Sequence, residues 1–439
     1  MNSIKDFVPL AELFVKELIE QIDTDTISLK RAEEKIVNFV NKIGHFMFQE
    51  VAGNCQEPVI EDRVSVNGKI AKYHSMRNLR FIDRFGQEII RRRRCYTIED
   101  QSAGYYPLDE KLGLDKCRRF SPLMTYLLSF FGACEAYDPS SKKLSKALGF
   151  NMSATAVQAN TEMTGDRLEH HPFDVIPASQ QNKECDVMIV ETDGTMSPQI
   201  AQEEGVTGRE SLKLPTEYKE CNILVIQKFK NGNKTDEWIG GQYGPRKEFE
   251  KYLHQAGLRM GQLKAEEVVF IADGAKHNWE MQMNHFPYAI CILDFYHVTE
   301  HLSEFCDLFK NKSKGKMQYD RWYDMLYDGE VLQVLSEMKK SLEDKIANTD
   351  AALKHYNYFI NNQNRMQYDR YREKNYPIGS GLIEGKCKLV VNRRFKGNGM
   401  RWKKADNESV LDVRLAVFNE SLEQAFTPTP QSYKLASGF

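Results

Sequence analysis

The chain has 439 residues, about three times the usual domain length, so two or three structural units and a large core are expected and small stapled scaffolds are excluded. A formal charge of −2, from 60 Lys and Arg against 62 Asp and Glu, argues at first against a nucleic-acid partner. The charge is segregated, however: Arg63 to Arg94 holds ten basic residues against two acidic, Lys386 to Lys404 holds eight against none, and −18 is left for the rest.

With 41% hydrophobic and 28% charged residues the composition is that of a soluble protein, and no apolar run nears the 18 or so residues of a membrane span. No membrane partner is expected. The N-terminal MNSIKDFVPLAELFVKELIEQ has acidic residues inside its apolar periodicity and reads as an amphipathic helix, not an export signal. Nine cysteines, none in a CxxC pair, read as reduced thiols of a cytoplasmic protein. They argue against a disulfide framework or a zinc ribbon, so no structural zinc is expected.

Residues 1–55 are expected to be helical, because Phe7, Leu10, Phe14, Leu18 and Ile22 keep a helical spacing, as do Ala32, Ile36, Phe39, Val40 and Ile43. They form a helical pair or a dimerisation element. Residues 56–105 alternate and break at Asn67-Gly68 and Phe85-Gly86, which predicts a small basic β-ribbon unit. Residues 106–180 read as a helical DNA-binding region. Within it SSKKLSKALGF and NMSATAVQANTEMTGDRL are two helices about a Gly-containing turn, either a plain helical hairpin or a helix-turn-helix presenting Thr155, Gln158, Asn160 and Thr161 to a groove.

From residue 181 the pattern turns to α/β. VMIVET, NILVIQKFK and EWIGGQYG are three strands, KEFEKYLHQAGL is a helix, and VVFIA and YAICIL are two more strands about AKHNWEMQMNHF. A mixed sheet with helices on its faces is expected over 181–300, then an all-α insertion over 301–375 and a further helix with a tail over 376–439.

Asp193 and Asp273 each stand at the C-terminal end of a strand and before a glycine, where a stem held by the sheet can point a carboxylate into a cleft. Two such carboxylates could hold divalent cations for displacement at phosphorus; each Asp-Gly alone could equally be turn chemistry. In GLIEGKCKLVVNRRF the apolar stripe Ile383, Cys387, Val390 and Val391 leaves Glu384 at its edge. Glu384 could reach the sheet end or merely pair with Lys388 one turn on. Asp294 and His297 follow the last strand. Asp294 reads as an N-cap or a partner of His297, although both could act in catalysis or ligate metal. Glu191 shares the face of Asp193 if the strand is regular.

Arg91, Arg92, Arg93 and Arg94 read as a phosphate-binding edge. So do Lys388, Arg393, Arg394, Lys396, Arg401 and Lys403, among which Trp402 is either a base-stacking ring or a core anchor.

At these residues the chain resembles the DDE transposases of bacterial insertion sequences, most closely the ISKra-type group and distantly the mutator-like enzymes. The matching stretches are PLDEKLGL at 107–114, ETDGTM at 191–196, VVFIADGAKHNW at 268–279, ILDFYHVTEHL at 292–302 and YPIGSGLIEGKCKLVVNRRFKGNGMRW at 376–402. The resemblance implies an RNase H-like domain with Asp193, Asp273 and Glu384 as a catalytic triad holding two Mg²⁺, for which Mn²⁺ can substitute. It implies cleavage of double-stranded DNA at transposon ends, joining of the 3′-hydroxyl to target DNA, and a homo-oligomeric synaptic complex. Asp294 and His297 match the family's acid and histidine near the last strand. The paired cysteines that relatives carry before PLDEKLGL are missing, with only Cys95 nearby. A catalytically silent DNA-binding derivative and a structure-specific nuclease of the same fold are the competing readings.

Overall fold

A computed structural model describes residues 7–24, 26–57, 59–66, 69–98, 104–115, 117, 119–169, 184–203, 206, 210, 212–344, 346–426 and 433–435. The break at Asn67-Gly68 and the boundary near residue 180 lie outside the described residues. The chain divides into two units, Met1–Thr161 with Phe426–Phe439 and Glu162–Ala425.

In the first unit the N-terminal periodicity forms helices Phe7–Asp23 and Leu29–Asn54, the second capped by Ser28, which accepts from the Arg31 N–H. Phe14 and Phe39 stack at 4.4 Å and join the pair. A sheet follows with strand order β10-β1-β2-β3-β4: β1 Arg63–Val66, β2 Lys69–Ile82, β3 Glu88–Ile98, β4 Gly104–Tyr105 and β10 Tyr433–Leu435. The expected turn at Phe85-Gly86 joins β2 to β3. Asp83 Oδ1 accepts from the N–H groups of Phe85 and Gln87, and Gly86 takes φ +80°, where a side chain would be strained.

Helices Pro122–Cys134, Tyr137–Leu148 and Ala154–Glu169 come next and bury Met124, Leu128, Leu144, Leu148 and Val157 together. The turn expected between the last two is there, with Gly149 at φ 80°. Of the four residues expected on a DNA-reading face, Thr155 is exposed and Gln158 half-buried, but Asn160 and Thr161 are buried. The Thr161 hydroxyl donates to the Val157 carbonyl at 2.8 Å, and Ser129 donates to the Asn160 carbonyl at 3.2 Å. That part of the helix packs the bundle.

The second unit is built on a sheet of order β7-β6-β5-β8-β9, with β5 Cys185–Ile200, β6 Thr216–Lys230, β7 Asn233–Tyr243, β8 Ala265–Ala272 and β9 Ile290–Leu293. β5, β6 and β7 run antiparallel, and β5, β8 and β9 run parallel. This is the RNase H-like arrangement and makes the protein α+β. β5 is central, so residues 188–192 are buried in sequence and the strand reads as an apolar run without alternation. Helices Arg246–Met260 and Lys276–His285 supply Phe249, Leu253, Met260 and Trp279 to the same core as Val190, Leu224, Phe270 and Leu293.

Helices Phe295–Asp307, Lys312–Tyr327, Val331–Asp344, Thr349–Asn362 and Tyr368–Glu373 form the all-α segment. Phe305, Trp322, Leu326, Val334, Met338 and Phe359 fill its core, and the Trp322 N–H is satisfied by Glu337 at 2.9 Å. No described helix is long and apolar enough to cross a membrane.

Candidate active site

The parallel ladder between β5 and β8 sets Val190 beside Phe270 and Glu191 beside Ile271. Two residues further along each chain stand Asp193 and Asp273, so the same register brings them level on one sheet face, across strands about 4.8 Å apart. Asp273 follows the end of β8, as expected. Asp193 does not end its strand: β5 runs on to Ile200 because its antiparallel pairing with β6 continues, Asp193 opposite Ile223 and Ile200 opposite Thr216. Asp193 therefore stands where β5 outruns its parallel neighbour. That opens the cleft beside it.

The cleft is lined by Thr192, Asp193, Asn222, Asp273, His277 and Asn278 among others. Burial raises the pKa of Asp193, and the charge of Asp273 adds to the rise against hydrogen bonds from the Gly194 N–H and Cys387. One oxygen of Asp273 is fixed by the Ala275 N–H and the Asn278 amide, both at 2.8 Å. Gly274 is required by packing, since a Cβ there would collide with the Tyr358 ring.

The third expected acid arrives on the helix after the all-α segment, itself followed by a further buried helix, Lys404–Phe418, where a tail was expected. Gly381–Lys386 is α-helical, Cys387–Asn392 is a π-helical segment, and Arg393–Phe395 closes it. The expected stripe Ile383, Cys387, Val390 and Val391 is buried. Glu384 stands half-exposed at its edge and holds Lys388 at 3.2 Å, so the ion pair exists. Cys387, one turn on, hydrogen-bonds Asp193, and the charges of Asp193 and Glu384 both bear on its thiol. Asp193 and Asp273 thus share one cleft, with the helix of Glu384 tied beside it through Cys387. The Glu384 carboxylate itself is held by Lys388 and does not line that cleft. The π segment, absent from the sequence pattern, widens the turn and frees carbonyls; Arg414 donates to those of Leu389 and Val390.

Asp294 caps the helix Phe295–Asp307, as its position suggested, and does more. Fully buried, it accepts from the Tyr296 N–H at 3.0 Å, His297 Nδ1 at 2.6 Å, and the N–H and hydroxyl of Ser380. Burial alone would raise its pKa, but these donors outweigh that and hold it below the ordinary aspartate value. His297 is pushed up to about 9 by its bond to Asp294, with Asp273 contributing, so an imidazolium faces the acids. Glu191 is buried behind Asp193 and accepts from the Ile383 N–H at 3.1 Å, bracing the start of the Glu384 helix; burial lifts its pKa to about 7.

The basic residues divide. Of the four arginines in β3 only Arg92 is exposed. Arg91 is buried and donates to the Cys55 carbonyl. Arg93 pairs with the buried Asp109 of PLDEKLGL and lies 3.7 Å over the Tyr106 ring. Arg94 lies 4.1 Å over Tyr73 and 3.4 Å from Asp62. The expected phosphate edge is therefore largely internal, because alternate strand residues face the helices and loops that cover β3. Near Glu384, Lys388, Arg393, Lys396, Arg401 and Lys403 are exposed, although Arg401 is tied to the carbonyls of Leu212 and Leu214. Arg394 is buried at 1% exposure, 4.6 Å over Trp402, and Trp402 is 8% exposed with its N–H on the Phe395 carbonyl. Trp402 is the core anchor, and Arg394 packs with it.

The solved Drosophila P element transposase strand transfer complex is similar with a TM-score of 0.38 and 8% identity, covering 68% of this chain and 92% of that one. A UPF0236 protein in the vanSb 3′ region of Streptococcus gallolyticus is 20% identical over 401 residues, 90% of this chain and 84% of the relative. The model of the uncharacterised protein family UPF0236 matches residues 22–425, and the chain belongs to that family.

Proposed function

We propose that this protein is a DDE-type DNA transposase of an insertion sequence, cutting element ends by hydrolysis and joining the freed 3′-hydroxyl to target DNA. The observation that carries the reading is the parallel register that sets Asp193 level with Asp273, with Cys387 tying the Glu384 helix to Asp193. Asp193, whose ionisation is opposed by burial and by the charge of Asp273 across the cleft, forms with that neighbour a donor set suited to a hard divalent cation. Asp193, Asp273 and Glu384 would hold Mg²⁺. Bound there, Mg²⁺ supplies activation of the attacking oxygen and charge neutralisation at the leaving oxygen.

The chain's own groups prepare that centre. Asp294 keeps His297 charged and oriented, and its bonds to Ser380 fix the start of the Glu384 helix. Lys396 donates to Thr195, two residues beyond Asp193, while exposed Lys388, Arg393 and Lys403 would neutralise DNA phosphates beside the acids. A homo-oligomer pairing two ends completes the reading. The test is incubation of the full chain with Mg²⁺ and duplex DNA carrying the sequences that flank its gene. Nicking at those ends with strand-transfer products, both lost in Asp193→Asn, is expected. Nicking without joining would favour a nuclease, and binding without cleavage a silent derivative.

A further inference from the structure

One helical turn beyond His297, the helix Phe295–Asp307 carries His301 and Glu304 at i and i+3, on one face. His355, from the helix Thr349–Asn362, comes to meet them. The Nδ1 atoms of His301 and His355 are 3.0 Å apart, His355 Nδ1 is 3.4 Å from Glu304 Oε2, and His301 Nδ1 is 4.0 Å from the same oxygen. Around a tetrahedral ion with bonds of about 2.0–2.1 Å, neighbouring ligand atoms stand about 3.4 Å apart, a value these separations bracket.

The surroundings suit ligation. Burial, and for His301 also the charge of His355, lower the imidazole pKa values, so both rings are neutral and their nitrogens can donate electron pairs. His301 stacks on Tyr358 at 3.7 Å, which fixes its plane, and the His355 side chain is 11% exposed. Glu304, 63% exposed, leaves a route from solvent. Two imidazoles with one carboxylate are a borderline donor set that favours zinc-class ions over Mg²⁺.

We propose that His301, Glu304 and His355 form a mononuclear site for a divalent transition metal of the zinc class, with its fourth position open to water. The cysteine spacing does not bear on it, because the site uses no thiolate. The ion would cross-link two helices of the all-α segment. Tyr358 lies between His301 and Gly274, so the link would brace the wall beside Asp273. The site stands whether or not the protein cuts DNA.

The test is titration of the metal-stripped full chain with Co²⁺, read by visible d–d absorption. One equivalent should give a tetrahedral-type band that Zn²⁺ erases, retained in Asp193→Asn and weakened at least about tenfold in affinity in His355→Gln. Glu304→Gln, on an exposed side chain that the fold does not need, should weaken it as well and carries the test if His355→Gln misfolds. Absence of the band, equal affinity in Glu304→Gln, or loss of the band in Asp193→Asn would each overturn the assignment.

Discussion

Two regions of dense like charge behave in opposite ways. In β3 four consecutive arginines are mostly consumed by the unit that carries them, on the Cys55 carbonyl, on Asp109 and Tyr106, and on Tyr73 and Asp62. At the end of the β5–β8 ladder, Asp193 is set beside Asp273 against its own burial and that neighbour's charge. A charge neutralised by its neighbours contributes to the fold. One held beside its like costs stability and is kept for something the chain does not itself supply.

The largest expected effect tests that contrast in the acids. Asp193→Asn should lower Mg²⁺-dependent strand cleavage on the order of 10³-fold, since several kcal/mol of charge stabilisation depend on the ion. The same variant should melt at a higher temperature than the wild type in metal-free buffer at pH 7, because a neutral amide escapes the burial and Asp273 repulsion that raise the Asp193 pKa. Unchanged cleavage would remove Asp193 from the site.

In the arginine strand the sign reverses. Arg93→Ala leaves Asp109 buried without its partner and should cost about 3–5 kcal/mol in urea unfolding. Its exposed neighbour, Arg92→Ala, should change stability by no more than about 0.5 kcal/mol. If β3 touches DNA, Arg92→Ala should also reduce the slope of log affinity against log salt by about 1. Equal unfolding midpoints for the two variants would break the comparison.

These differences show where sequence reading works. The five strands of the core sheet and the helical segment after them were legible, because apolar runs and helical spacings report burial directly. Asp273 was legible from its place after VVFIA. The extent of β5 was not, since the partner that prolongs it is β6, fixed only by tertiary pairing. Arg91, Arg93 and Arg394 read as exposed because a lone sequence carries no sign of Cys55, Asp109 or Trp402 closing over them. The π-helical turn was equally silent: its freed carbonyls are met by Arg414, more than twenty residues on. Glu191 was placed on the right face by strand alternation alone, but its hold on Ile383 required the fold.

Glu191 gives the next effect in size. Its pKa is about 7 in the folded protein against 4.5 for the ordinary group, so between those values the folded state binds the extra proton. Stability therefore falls as pH rises from about 4.5 to 7, and the penalty is complete above 7. Glu191→Gln keeps an acceptor for the Ile383 N–H and removes the charge. It should be more stable than the wild type by about 1–3 kcal/mol at pH 8, with the gain vanishing near pH 4. A gain that does not depend on pH would assign the effect to packing.

The smallest effect on stability is the most informative about Glu384. Its pair with Lys388 is exposed and one turn long, so Lys388→Ala should shift unfolding by only a few tenths of a kcal/mol. The ammonium nonetheless competes with a cation for the carboxylate. Its removal should therefore lower the Mg²⁺ concentration that half-saturates cleavage, while weakening DNA binding and reducing its salt slope by about 1. The two readouts move oppositely only if Glu384 belongs to the metal set and Lys388 to the phosphate contacts. An unchanged Mg²⁺ requirement with weaker DNA binding would leave Lys388 at the interface and move the third carboxylate elsewhere, and Glu191, behind Asp193 and bonded to the same helix, would then be the acid to test.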